Sequence, residues 1–215
     1  MDGTILKSEH NWGQAVGQFV DLHEHGISLE EKNKFIESLS GCGLLKMAFE
    51  LKKFFKIRKC LNLIADQVKE LAQKNLSKGV VFVDGFLPFH NELDSHSVSR
   101  GIATNADAGS FKLLIDKFKF DKLFGSHLYC VDNVGGLAKP DPAIFLYAAK
   151  QLNAKPEECL VFEDSIFGFQ AAKAAGMKCI AIKNEKNSQV CDMVDDFIDD
   201  YFQAKEALIK ICQKF

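Results

Sequence analysis

The spacing of apolar positions changes about a third of the way along the chain. Up to residue 76 it is helical. Leu44, Leu45, Ala48, Leu51 and Phe55 recur at steps of three and four, with Lys52 and Lys53 between them. Such a stripe is one face of an amphipathic helix. Residues 9–76 contain no proline. Ser28 with Glu31 three positions later reads as a capping box, and Gly26 and the Ser40-Gly41-Cys42-Gly43 stretch are natural breaks. The pattern predicts a bundle of about four helices.

From Gly79 onward, short apolar runs alternate with amphipathic segments. Residues 80–83, 101–104, 128–131, 160–162 and 179–182 are predicted to be extended. One helix is predicted over residues 142–152, with Asp141 as cap and Pro142 in its first turn. Another is predicted over residues 167–175, closing at Gly176. Runs alternating with helices specify an α/β fold with a parallel sheet covered on both faces. The acidic stretch 192–200 is interrupted by Val194, Phe197 and Ile198 and reads as a loop with a short edge strand. There are no internal repeats or low-complexity tracts.

Composition narrows the function classes. The 215 residues suffice for one α/β domain and a smaller insertion. A net charge of -2 gives no reason to expect nucleic acid or an anionic membrane as partner. No apolar run approaches the roughly 18 residues of a membrane span, and the N-terminus does not read as a secretory leader, so a cytoplasmic protein is expected. The seven cysteines form no Cys-x-x-Cys pair and sit in apolar contexts, as around Cys130 and Cys179. They read as reduced core thiols.

Four places carry candidate chemistry. They are Asp2-Gly3-Thr4, Thr104-Asn105 after an apolar run, Lys139-Pro140-Asp141-Pro142, and Glu163-Asp164-Ser165 after another apolar run. Each alone has a plain structural reading: a turn, a β-branched strand residue, a surface lysine, a helix cap. Together they say more. Side chains just past the carboxyl ends of parallel strands converge on one crevice. A hydroxyl, a lysine and a carboxylate cluster in that crevice suit a phosphate with a magnesium ion.

In this order the motifs resemble the haloacid dehalogenase superfamily, specifically its helical-cap phosphatases and β-phosphoglucomutase-like members. The resemblance is strongest over residues 139–177: Lys-Pro-Asp-Pro-Ala-Ile-Phe, Val-Phe-Glu-Asp-Ser, then Ala-Ala-Lys-Ala-Ala-Gly-Met. Ser8-Glu9-His10 resembles the beginning of the cap. The resemblance implies a Rossmann-like core from residues 1–8 and 78–215 and an inserted α-helical cap over residues 9–77. It implies a Mg2+-dependent phosphatase acting on a small, sugar phosphate-like phosphomonoester through an aspartyl-phosphate. Asp2, Thr104 and Lys139 would be catalytic. Asn105, Lys139 and Gly3 would bind phosphate, and Asp2, Glu163 and Asp164 would hold the metal. Ser165 would at least cap the helix that follows.

The chain departs from the family pattern at one point. The family motif is Asp-x-Asp-Gly-Thr behind an apolar strand. Met1 stands at x and Asp2 at the second aspartate, so the nucleophile and its strand would precede Met1. The expectation is a sheet lacking its first strand and a chain inactive as given, through a start site placed too late. A phosphomutase and a non-catalytic binding member are the alternatives. A dehalogenase fits less well, because the Glu163-Asp164 pair suggests a cation that dehalogenation does not need. Mutase-type caps carry an arginine and a serine after a glycine, whereas here Gly41 is followed by Cys42-Gly43-Leu44-Leu45-Lys46, which favours a phosphatase. His10, Asn11, Trp12 and Lys46 are candidates to face the substrate, with cap packing the plainer role for Trp12.

Overall fold

A computed structural model describes residues 1–23, 26–39, 41–76, 79–187 and 191–212. Ser40 and the expected boundary at residues 77 and 78 lie outside the described residues, as does the Glu9 side chain.

The first third folds as the periodicity requires. Helices α1 (Glu9–Asp21), α2 (Leu29–Ser38), α3 (Leu44–Phe54) and α4 (Leu61–Leu76) follow one another. The capping box at α2 is formed: Ser28 Oγ accepts from the Glu31 amide at 3.2 Å, and Glu31 Oε2 accepts from the Ser28 amide at 3.1 Å. Gly41 takes φ +75°, which suits the chain reversal before α3. The apolar stripes of these helices meet in a core of their own. Phe19, Leu51 and Ile64 are fully buried there, with Val16, Ala48 and Val68 beside them.

The remainder alternates helices and strands: α5 (Phe86–Ser95), β1 (Ile102–Thr104), α6 (Ala108–Phe118), α7 (Phe120–Phe124), β2 (Leu128–Cys130), α8 (Ala143–Gln151), β3 (Leu160–Glu163), α9 (Ile166–Ala174), β4 (Lys178–Ile182), β5 (Asp196–Ile198) and α10 (Ala204–Cys212). All strand pairings are parallel, β1 with β2 and β3 with β4 and β5. Both faces are covered. In β4, Cys179 and Ala181 join a core with Ile144, Phe145 and Phe169, while Ile180 and Ile182 join the opposite core with Phe86, Phe120 and Tyr201. That is the two-residue alternation of a strand buried on both sides. No helix among the described residues is long and apolar enough to cross a membrane.

One expectation changes. Residues 80–83 are not a strand. Phe82 makes a single antiparallel bridge to Leu6, flanked by bonds from the Lys7 amide to Val81 and from the Val83 amide to Ile5. Pairing stops there because Gly85, at φ +73°, turns the chain into α5. The parallel strands fall into two sheets, in line with the expected sheet lacking its first strand. β1 and β3 do not pair with each other. They border a cavity of about 430 Å³ that both strands line, with Met1, Thr4 and Ile5 also in its wall.

Candidate active site

A second cavity, of about 360 Å³, opens where the carboxyl ends of β1 and β3 face the helical unit. Asp2, Thr104, Asn105, Lys139, Glu163, Asp164 and Ser165 all line it. Six of these were expected together from sequence as catalytic, phosphate-binding or metal residues, and the cavity brings all six together.

The ends of the strands set the positions. Thr104 closes β1, and its Oγ1 accepts from the Ala106 amide at 3.1 Å, which leaves the hydroxyl proton to donate. Asn105 Oδ1 accepts from the Lys139 amide at 2.8 Å, and its Nδ2 donates to the Gly41 carbonyl at 3.2 Å. This side chain therefore ties β1 to the Lys139 loop and to the turn between α2 and α3. The Lys139–Pro140 peptide is cis. Asp141 Oδ1 accepts from the Ala143 amide at 2.8 Å, but Pro142 and not the expected Asp141 stands at the N-cap of α8, which starts at Ala143.

Lys139 is 5% exposed. Its Nζ donates to Glu163 Oε2 at 2.7 Å and to the Ala103 carbonyl at 3.0 Å, and it lies 4.3 Å from the Phe145 ring centroid. Glu163 Oε1 accepts from the amides of Asp164 and Ser165 and from Ser165 Oγ, at 3.0–3.2 Å. Burial pushes the Glu163 carboxyl upward. The Lys139 ammonium, the α-amino group of Met1 and these hydrogen bonds outweigh it and hold the acid well below the usual carboxylate range.

Glu163 was expected to be a metal ligand, and it lines the cavity beside Asp164. Both its oxygens take hydrogen bonds, one from Lys139 and one from three donors, so it also serves as the counterion that fixes the lysine. Gly3, expected to bind phosphate, is not part of the cavity wall. Its amide donates to the Leu6 carbonyl at 2.8 Å in a turn that needs its φ of +71°. Asp2 stays in the wall, its Oδ1 accepting from Ser8 Oγ at 2.5 Å. Ser165 caps α9 by accepting from the Gly168 amide at 3.1 Å.

Among the described residues, no three His, Cys, Asp or Glu side chains converge as a metal site. Asp2 and Asp164 give two hard oxygen donors on one cavity wall, the right chemistry for magnesium, which needs about six oxygens and keeps several waters. Cys42 also reaches the cavity, but burial pushes its thiol up to about 11, so it stays protonated near neutral pH.

Some supporting groups gave little sequence signal. Thr4 Oγ1 donates to Asp164 Oδ1 at 2.7 Å, joining the N-terminal turn to β3 across 160 positions. Asn184 and Asn187 both donate to the Asp164 carbonyl, at 2.9 and 2.8 Å. Gly168 sits so close to Glu163 that a Cβ there would lie 2.1 Å from its carboxyl carbon. The glycine after Glu163-Asp164 is visible in the sequence, but its reason is not. The asparagines come from the loop after β4, where nothing marks them. Of the residues expected to face a substrate, His10 and Trp12 line the cavity. Asn11 is buried outside its wall, and Lys46 lies over the Phe167 ring, 4.4 Å from its centroid.

A parallel α/β core with a lysine, hydroxyl and carboxylate cavity at its strand ends has its candidate site where open α/β folds bind their ligands. The chain belongs to the haloacid dehalogenase-like hydrolases, whose family profile matches residues 1–182. YhcW of Bacillus subtilis (strain 168), provisionally named a phosphatase, is 29% identical over 189 residues, 86% of this chain and 81% of that protein. The validoxylamine A 7'-phosphate phosphatase of Streptomyces hygroscopicus subsp. limoneus is 23% identical over 95% of this chain and 93% of its own. In fold, the chain is similar to a haloacid dehalogenase hydrolase of family IA from Entamoeba histolytica HM-1:IMSS, with TM-score 0.81, 20% identity and coverage of 94% and 92%. It is also similar to β-phosphoglucomutase from Clostridium difficile, with TM-score 0.79, 18% identity and coverage of 98% and 95%.

Proposed function

We propose that this protein is a magnesium-dependent phosphomonoesterase that releases phosphate from a small phosphorylated metabolite. The observation that carries the reading is the buried Lys139 ammonium, held by Glu163 in the same cavity as Asp2, Thr104, Asn105 and Asp164. The Thr104 hydroxyl, the Asn105 amide and Lys139 would hold the phosphoryl oxygens, and the lysine would offset their charge. Asp2 would protonate the departing alcohol oxygen and then take a proton from the attacking water, help worth about 10²–10⁴ in rate. Magnesium, held by Asp2 and Asp164 with waters, would supply countercharge to the phosphoryl group. The attacking carboxylate would stand one position ahead of Met1, at the inner end of a strand between β1 and β3. Residues 9–77 would act as the cap that closes the cavity.

The test compares three purified chains on para-nitrophenyl phosphate with magnesium. They are the 215-residue chain, a chain extended upstream by an apolar strand and an aspartate, and the extended chain with that aspartate changed to asparagine. Turnover is expected in the second alone. Equal metal-dependent turnover by all three would overturn the nucleophile assignment.

A phosphomutase is the second reading, suggested by the fold shared with β-phosphoglucomutase. Among the described residues no arginine lines the cavity, so a second phosphate would lack the fork that usually grips one. That favours hydrolysis.

A further inference from the structure

The two walls of the catalytic cavity differ in kind. The wall at the strand ends is mainly polar, carrying Asp2, Thr104, Asn105, Lys139 and Asp164 beside Met1 and Ala106. The opposing wall, from α1, α2 and α3 and the turn before α3, presents Trp12, Val16, Ile36, Leu39, Leu44 and Met47. Val16, Leu39 and Met47 are buried in the helical core, and Trp12, Ile36 and Leu44 are half-buried against it, so packing fixes this wall. Its polar members, His10 and Glu37, are exposed, as is Lys186 on the other side.

A phosphate seated on the polar wall therefore points its ester group at hydrocarbon. A sugar would turn several hydroxyls toward carbon, and each would give up water without finding a partner. An aromatic ring would bury its face against Trp12, Ile36 and Met47 and surrender no hydrogen bond. The cavity is near the small end of ligand sites, with room for a phosphate and one or two rings.

We infer that the substrates are phosphomonoesters of compact aromatic alcohols, in place of the sugar phosphates that the family resemblance suggests. This inference rests on the phosphatase reading of the same cavity.

The protein carries its own reporter, since Trp12 is its single tryptophan. The 215-residue chain is titrated in magnesium chloride with phenylphosphonate, with the phosphonate analogue of glucose 6-phosphate, and with inorganic phosphate. Binding is followed by tryptophan emission and by calorimetry. Phenylphosphonate is expected to shift the emission and to bind about tenfold or more tighter than inorganic phosphate, with the glucose analogue no tighter than phosphate itself. Ile36→Asn and, separately, Leu44→Asn should each reduce that aromatic advantage severalfold and leave phosphate affinity unchanged. Both side chains are only half-buried, and circular dichroism checks that each variant is folded. If inorganic phosphate binds but the glucose analogue matches or exceeds phenylphosphonate, the aromatic assignment falls and the phosphatase reading stands. If inorganic phosphate neither binds nor displaces either phosphonate, both readings fall.

Discussion

Lys139 and Glu163 form the most deeply buried ion pair among the described residues, each side chain 5% exposed, while every other pair has at least one partner markedly more open. Breaking such a pair strands a charge away from water and costs about 3–5 kcal/mol. Lys139→Met is therefore expected to lower the unfolding free energy by about that much in urea melts, and adding Glu163→Gln should restore most of it. The pair also sets an acid limit. Because the folded carboxyl is held below its ordinary value of about 4.3, its contribution is complete above that pH and is lost as pH falls through the lower folded value. The thermal midpoint of the wild type should drop steeply below about pH 4, and that of Glu163→Gln less so. Parallel curves would assign the acid sensitivity to other carboxylates.

At the level of elements, two helical glycines with opposite roles offer a paired test. Gly168, in the first turn of α9, has no room for a methyl group beside the Glu163 carboxyl. Gly168→Ala is expected to destabilise by about 1–3 kcal/mol through overpacking and to disturb the lysine counterion. Gly17, inside α1, would meet only Ile36 and Lys32 side-chain carbons at 3.8 and 4.0 Å, ordinary contact. Gly17→Ala is expected to stabilise by about 0.5–1 kcal/mol, because alanine surrenders less backbone freedom on entering a helix. Calorimetric melts of the two variants should move in opposite directions. Both glycines look alike in sequence, and only their surroundings separate them.

Across the whole molecule, the cavity between β1 and β3 is the main irregularity. A parallel strand turns alternate amides to its two sides. Ile102 in β1 donates to His127 at 2.9 Å on the β2 side, so the Ala103 amide faces the other way, where its carbonyl meets Lys139. Two parallel edges around an apolar space favour one further strand between them. An upstream extension of about five apolar residues should bury two or more large side chains there, about 3–6 kcal/mol of stabilisation. For a chain of this length, that corresponds to a rise in Tm of roughly 6–24 °C. The asparagine version of the extension should gain the same stability while remaining inactive, which separates strand filling from chemistry. An unchanged melting curve would mean that the space does not accept a strand.

The elements themselves were written in local sequence. Periods of three and four produced the four helices of residues 9–76, the Ser28 and Glu31 pair set one cap, and short runs near β1 to β4 marked the parallel strands. Thr104 and the Glu163-Asp164 pair were also legible because they follow apolar runs that read as strands, and Asp2 and Lys139 because they stand in motifs that resemble the family's. Function within the cavity was not. That Glu163 also holds Lys139, and that the Gly3 amide donates to the Leu6 carbonyl, is not written in local sequence. Asn184, Asn187 and Thr4 gain roles only through contacts made far along the chain. Nor does the chain order announce an apolar wall facing a polar one, since Trp12, Ile36 and Met47 read simply as core positions on three helices. Local pattern is decided by each residue and its near neighbours. A side chain's partner, and so its charge state and task, depends on which distant backbone the packing brings within about 3 Å.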